Sequence, residues 1–266
     1  MAKTNTARHV LTKVPEITVF FWIIKILTTG MGETTSDFLV THFDPIVGVA
    51  FAAIGFIAAL ILQFRVKKYI PFVYWFNVVM IAVFGTMAAD LVHVVLGVPY
   101  IFSTTFFLIA LGIIFAFWYK FERTLSIHSI YTFRREVFYW LTVMATFALG
   151  TAAGDMTAST LKLGYFTSGV MFAVLIAVVT AAHYLTRGIL AAEHKHQSRN
   201  AVLAFWLAYI LTRPLGASFA DWMGVSPARS GLGWGTGPVS LVLLIIIICL
   251  VGYLTVTHSD EERNFS

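Results

Sequence analysis

The stretch WIIKILTTGMGETTSDF, residues 22–38, begins as a membrane span and then takes on charge: Lys25, Glu33 and Asp37 lie in an otherwise apolar segment. A charged side chain at the centre of a membrane helix costs roughly 2.5–3.5 kcal/mol on insertion scales. A helix with three of them sits in a bilayer only where other protein groups or water receive the charges.

The rest of the chain explains why a bilayer is the right solvent to consider. Hydrophobic residues make up 59% of the sequence and charged residues 12%, and the mean hydropathy is +0.83. A soluble chain carries about twice that charged fraction. Apolar runs recur almost end to end, so residues 1–266 read as a single integral membrane domain, all-α and polytopic. The formal charge of +5 is no signature of nucleic-acid binding, because its basic residues fall in loops where topology accounts for them. The single cysteine, Cys249, lies inside LVLLIIIICLVGYL (residues 241–254) and reads as a small apolar residue. The basic N-terminus precedes a span carrying Lys25 and Glu33 with no small-residue cleavage site, so a retained first span is expected.

At about 20 residues per crossing, eight spans are predicted: 16–39, 46–64, 70–96, 100–119, 136–161, 165–186, 201–222 and 237–257. Asp44-Pro45 reads as an N-cap with proline at the first helical position. Basic clusters fall in alternate connections: Lys3, Arg8 and Lys13; Arg65, Lys67 and Lys68; Lys120, Arg123, Arg134 and Arg135; Arg187, Lys195 and Arg199. The opposite loops hold only Lys162 and Arg229. The positive-inside rule then puts both termini in the cytoplasm.

Counting from each tryptophan of the odd-numbered spans exposes a repeat. Trp22, Trp75, Trp140 and Trp206 are each preceded by an aromatic residue. Each is followed ten residues later by Gly32, Gly85, Gly150 or Gly216, and fifteen residues later by Asp37, Asp90, Asp155 or Asp221. The pattern [FY]-W-x9-G-x4-D thus occurs four times, in a chain with five aspartates before position 260. It predicts four two-helix repeats, approximately 14–68, 69–123, 134–190 and 199–258. Units of two spans keep their orientation, so the repeats are parallel.

Four such units resemble the bacterial membrane proteins known as the DUF347 tandem repeat, a family of undefined function. The resemblance covers nearly the whole chain. It implies four two-helix repeats in a bacterial inner membrane and brings no chemistry with it.

The chemistry is read from the residues. On a helix, positions four apart form one slowly drifting stripe. The stripes are Lys25, Thr29, Glu33, Asp37; Val78, Ala82, Thr86, Asp90; Val143, Phe147, Thr151, Asp155; and Tyr209, Arg213, Ala217, Asp221. The charges of all four motif helices therefore share one equivalent face, expected to line a common interior. The tryptophans are expected near the cytoplasmic surface and the aspartates about 22 Å away, toward the outer side. Trp22, Trp75, Trp140 and Trp206 and the four motif glycines are expected to pack the motif helices, with small neighbours such as Ser36, Ala89, Gly154 and Ala220 letting them approach closely.

Glu33, Asp37, Asp90, Asp155 and Asp221 against Lys25 and Arg213 leave a formal −3. Hard carboxylate oxygens beside threonine hydroxyls suit Mn²⁺ or Mg²⁺ better than soft metals. The expectation is a transporter with these five acids as metal ligands, no resident cofactor, and protons as possible counter-ions. Its partners would be the lipid bilayer and the transported ion or small solute. Two other readings stand beside it. One is a scaffold or sensor whose charges form internal salt bridges, for instance Arg213 with Glu33 or Asp37, with the tryptophans as interfacial anchors. The other is a carrier of an anion or small organic solute using Lys25 and Arg213. Nothing points to an enzyme: there is no HExxH and no nucleophile with a base in register. His93 shares a face with Asp90, His183 reads as snorkelling to the interface, EHKHQSR (193–199) as a solvated loop, and GLGWGTG (231–237) as a flexible flap at the outer mouth, with Arg229 at its rim. The scattered methionines read as packing.

Overall fold

The helices form where the apolar runs are, and local chemistry sets their ends. In the computed structural model, which describes residues 12–189 and 194–260, eight long helices follow one another, with no strand among the described residues. They are α1 (Val19–His42), α2 (Pro45–Arg65), α3 (Pro71–Asp90), α4 (Tyr100–Glu122), α5 (Phe133–Asp155), α6 (Tyr165–Ile189), α7 (His194–Gly224) and α8 (Thr236–Thr257). Asp44 caps α2 as its sequence predicts, accepting from the backbone N–H of Ile46 at 2.9 Å and of Val47 at 3.3 Å. Thr18 and Thr132 cap α1 and α5 in the same way. In α3 and α5 the α-ladder stops at the motif aspartate and continues as one wide π turn, Leu91–Val95 and Met156–Thr160. Such turns are rare and occur mostly at functional places in helices. Lys3, Arg8, Glu193 and the acidic tail beyond Asp260 lie outside the described residues.

Seven of the eight helices are long and apolar enough to cross a membrane, so the protein is a multi-pass membrane protein. The exception among the expected spans is α1, which at 24 residues is long enough but carries Lys25, Glu33, Asp37 and a run of threonines and glycines. Its polar side is covered by protein: Lys25, Thr28, Thr29, Glu33, Thr34 and Ser36 are all buried.

The four motif helices pack in cyclic order, α1 on α3, α3 on α5, α5 on α7 and α7 back on α1. Each plain helix packs chiefly on the motif helix of the following repeat: α2 on α3, α4 on α5, α6 on α7, and α8, closing the circle, on α1. The repeats are therefore interlocked. More than half of each apolar motif span is buried, against about a fifth of each plain span, so the plain helices form the apolar outer surface.

Two contacts recur around the ring. The aromatic residue before each motif tryptophan meets the tryptophan of a neighbouring motif helix: Phe21 with Trp75, Tyr74 with Trp140, Tyr139 with Trp206, and Phe205 with Trp22, at centroid distances of 5.9, 5.4, 6.4 and 5.7 Å. Trp75, Trp140 and Trp206 are buried core residues that pack the motif helices, rather than the interfacial anchors of the scaffold reading, because each finds a ring on the next motif helix. The second contact is made by the glycines. A Cβ on Gly32 would lie 2.5 Å from the Cβ of Ala82, on Gly85 2.8 Å from that of Phe147, on Gly150 2.3 Å from that of Arg213, and on Gly216 2.8 Å from that of Thr29. Each glycine thus receives the residue three positions earlier in the motif of its neighbour. Equivalent positions meeting at one level show that the four helices run parallel.

At the tryptophan end the chain crosses the bundle. Lys13 N–H donates to the carbonyl of Ile130, Tyr69 N–H to that of Thr12 and Glu16 N–H to that of Asp260, each at 3.0 Å. Lys13 pairs at 2.6 Å with Glu136, which also accepts from Gln63 at 3.0 Å.

Gly150→Ala is expected to destabilise the protein by about 1–3 kcal/mol, as overpacking does. Gly112→Ala, on α4 where a Cβ would meet nothing within 4 Å, should hold or gain stability. Heating both in detergent and following the fraction that stays monodisperse reads the difference.

Candidate functional site

The motif register sorts the ring interior into four levels, each about 6 Å beyond the last for four residues of helix. From the tryptophan end they are Lys25, Val78, Val143, Tyr209; Thr29, Ala82, Phe147, Arg213; Glu33, Thr86, Thr151, Ala217; and the four aspartates. The predicted stripes do face one another.

The first two levels hold the cations, both buried. Lys25 Nζ donates to the Tyr209 carbonyl at 2.9 Å and to Thr212 Oγ1 at 2.5 Å, and lies 3.5 Å from the Tyr209 ring centroid. Arg213 donates to Thr29 Oγ1 at 2.8 Å and to the Tyr209 hydroxyl at 3.1 Å, and its guanidinium stacks 3.3 Å from the Phe147 ring centroid. Thr29 and Phe147 are the residues equivalent to Arg213 on the two adjacent motif helices, so the arginine fills its level from wall to wall. Neither cation forms an ion pair with a carboxylate among the described residues. Arg213 does not dock on Glu33 or Asp37. The acids lie on levels further along, and ring faces and neutral oxygens solvate the guanidinium instead.

On the third level Glu33, also buried, accepts from Thr151 Oγ1 at 2.8 Å and Thr86 Oγ1 at 3.3 Å, and the two hydroxyls are 3.2 Å apart. One carboxylate and two hydroxyls, again from equivalent positions, form a polar layer across the ring.

The fourth level gathers the aspartates. Asp221 is buried and feels the charges of Glu33, Asp37, Asp90 and Asp155. Asp90 accepts from Ser36 Oγ at 3.1 Å, and Asp155 and Tyr100 lie within electrostatic reach of each other. Arg229 stands over this level in the α7–α8 loop, donating to the Tyr165 hydroxyl at 2.7 Å. Desolvation works against its charge, but the Tyr165 oxygen and the carboxylates of Asp37 and Asp221 outweigh that and raise its pKa above the ordinary arginine value. With Arg229 counted, five carboxylates face three cations and the formal balance of the interior is −2.

The five acids thus share one electrostatic field, yet no three acids, histidines or cysteines among the described residues form a ready-made metal cage. The Glu33 and aspartate levels present carboxylates and hydroxyls rather than a closed coordination sphere. The motif helices run unbroken through their glycines. The loop expected as a flap is fastened down: the N–H groups of Leu232, Gly233, Trp234 and Gly235 donate to the carbonyls of Trp222, Val225, Met223 and Gly224, capping the end of α7. His93 is buried in the π turn against Ser103 and Tyr100 and has no carboxylate partner among its contacts.

Several participants escape a motif count. Tyr100 and Tyr165 come from plain helices. Tyr74 and Tyr139, whose hydroxyls meet at 2.5 Å, occupy the motif position that is phenylalanine in the other two repeats. That split of Tyr against Phe was the one available signal.

The family model described as a repeat of unknown function (DUF347) matches residues 20–69, 73–124, 138–188 and 204–260. No curated protein and no solved structure matches the chain.

Thr151→Val should strand the Glu33 carboxylate on its shorter hydrogen bond and cost about 1–3 kcal/mol, with Thr151→Ser near wild type. Thermal unfolding in detergent, read by intrinsic fluorescence, separates them.

Proposed function

This chain belongs to the DUF347 repeat family, and from that premise and the charge layout of its ring we propose that it is a membrane transporter with a carboxylate-lined cation pathway. The observation that carries the reading is the uncompensated interior: five acids share one field, and the fixed cations leave a formal −2 in a helix ring within the membrane. A divalent cation, or two protons, would neutralise it. Five internal acids are costly for a mere scaffold, since buried charge of one sign destabilises packing unless a ligand offsets it.

The oxygen-only chamber favours hard cations, with Mn²⁺ and Mg²⁺ the first candidates. Acids that feel one another without converging suit an ion that keeps part of its water shell, as Mg²⁺ does. The basic loops orient the protein in the bacterial inner membrane with its termini cytoplasmic. The aspartate level then faces outward, where Arg229 and the α7–α8 loop rim the chamber. Exchange of the cation against protons follows from carboxylates that bind either.

The test is flux into liposomes holding the purified protein, with Mn²⁺, Mg²⁺, Ca²⁺ and Zn²⁺ offered and internal pH followed together. Wild type should carry at least one divalent cation, and Asp155→Asn, folded by size-exclusion, should lose most of that flux. No cation flux above empty vesicles, or Asp155→Asn that transports normally, rejects the proposal. An Asp155→Asn protein that no longer folds supports the scaffold reading.

A further inference from the structure

Below the carboxylates the interior stays polar. Tyr74 and Tyr139 share a hydrogen bond of 2.5 Å, and Tyr139 and Tyr209 both pack on Trp206 and lie within electrostatic reach of each other. Arg213 joins the Tyr209 hydroxyl to Thr29, and the next level up is the hydroxyl–carboxylate layer of Thr86, Thr151 and Glu33. Tyrosine and threonine hydroxyls both donate and accept, and hydrogen-bonded rows of them can relay a proton. Such a row along the axis of a membrane protein would drain a proton gradient, and an exchanger with a free proton path would lose its coupling.

Lys25 and Arg213 interrupt the row. A guanidinium has only donors and does not deprotonate in proteins, so it cannot hand a proton on. Its fixed charge also repels a proton or metal ion approaching from either side, as arginines do in other selective pores. No carboxylate among the described residues cancels either charge by an ion pair. Glu33 lies one turn beyond Thr29 on the same stripe but is engaged by Thr86 and Thr151 instead. Both cations meet on Tyr209, one over its ring face and the other at its hydroxyl. They stand on successive levels, between the tyrosine row and the carboxylates.

We infer that the two levels holding Lys25 and Arg213 form an electrostatic barrier that keeps protons and other cations from running freely between the carboxylate levels and the tyrosine end of the ring. It rests on reading the ring interior as the ion path, and it assigns these two residues to selectivity rather than to substrate binding. Protons then cross only when the ring rearranges with its cargo bound.

Proton leak needs no substrate and so tests the barrier separately. Liposomes holding a pH-sensitive dye are given a pH step with valinomycin and potassium to balance charge, and no metal is added. Wild type should leak little more than empty vesicles. Arg213→Met and Lys25→Gln, the latter still able to donate to the Tyr209 carbonyl, should each raise the rate at least tenfold. Arg213→Lys should stay tight, and Tyr139→Phe added to Arg213→Met should bring the leak back down. Either folded neutralising variant leaking no more than wild type overturns the barrier. If one fails to reconstitute, the other decides. Leak through the variants without metal flux in wild type keeps the barrier and removes the substrate; metal flux without leak does the reverse.

Discussion

At Gly32, Gly85, Gly150 and Gly216 the backbones of neighbouring motif helices come so close that a single added carbon would fall 2.3–2.8 Å from a neighbour's Cβ. In a bilayer, helices gain little by hiding apolar surface from lipid, so dispersion across close contacts has to hold them. Repeating that contact four times in one rotational sense closes the ring, with α7 returning to α1. The aromatic–tryptophan contacts do the same at the tryptophan end. Because each plain helix packs on the following repeat, no repeat completes its own surface, and α8 seals the circle on α1.

Closure fixes the register, and the register makes the interior. Once each glycine receives its neighbour's residue three positions back, equivalent positions must share a level. Glu33 then finds Thr86 and Thr151, and Arg213 finds Thr29 and Phe147. The repeats have diverged level by level: one has a lysine where another has a tyrosine, and one a glutamate where others have threonine. A symmetric frame therefore surrounds an asymmetric core, in which cations and carboxylates lie on successive levels. That separation puts Lys25 and Arg213 on the tyrosine side of Glu33 and the four aspartates, with no ion pair between the two sets among the described residues.

Much of this was legible before folding. The four-fold spacing of Trp, Gly and Asp, with an apolar run behind each, determined an all-α membrane protein of parallel two-helix repeats. The four-residue stripes put Lys25, Glu33, Arg213 and Asp221 on faces that the ring buries, because helical periodicity is a local property. Asp44 as a cap was equally local.

What the tertiary structure decided was which inward group meets which. Sequence spacing gives height along a helix but not the azimuth of a neighbour, so the expected pairing of Arg213 with an acid gave way to its stacking on Phe147. The tryptophans are expected from the sequence to pack the motif helices, but only the closed ring shows that each packs on the aromatic residue of another repeat. Tyr165, which holds Arg229 over the aspartate level, comes from a plain helix that carries no motif. The loop of residues 231–237, flexible by its glycines, is pinned because its N–H groups satisfy the last carbonyls of α7. In each case the sequence set the residue and its level, and the closed ring chose the partner.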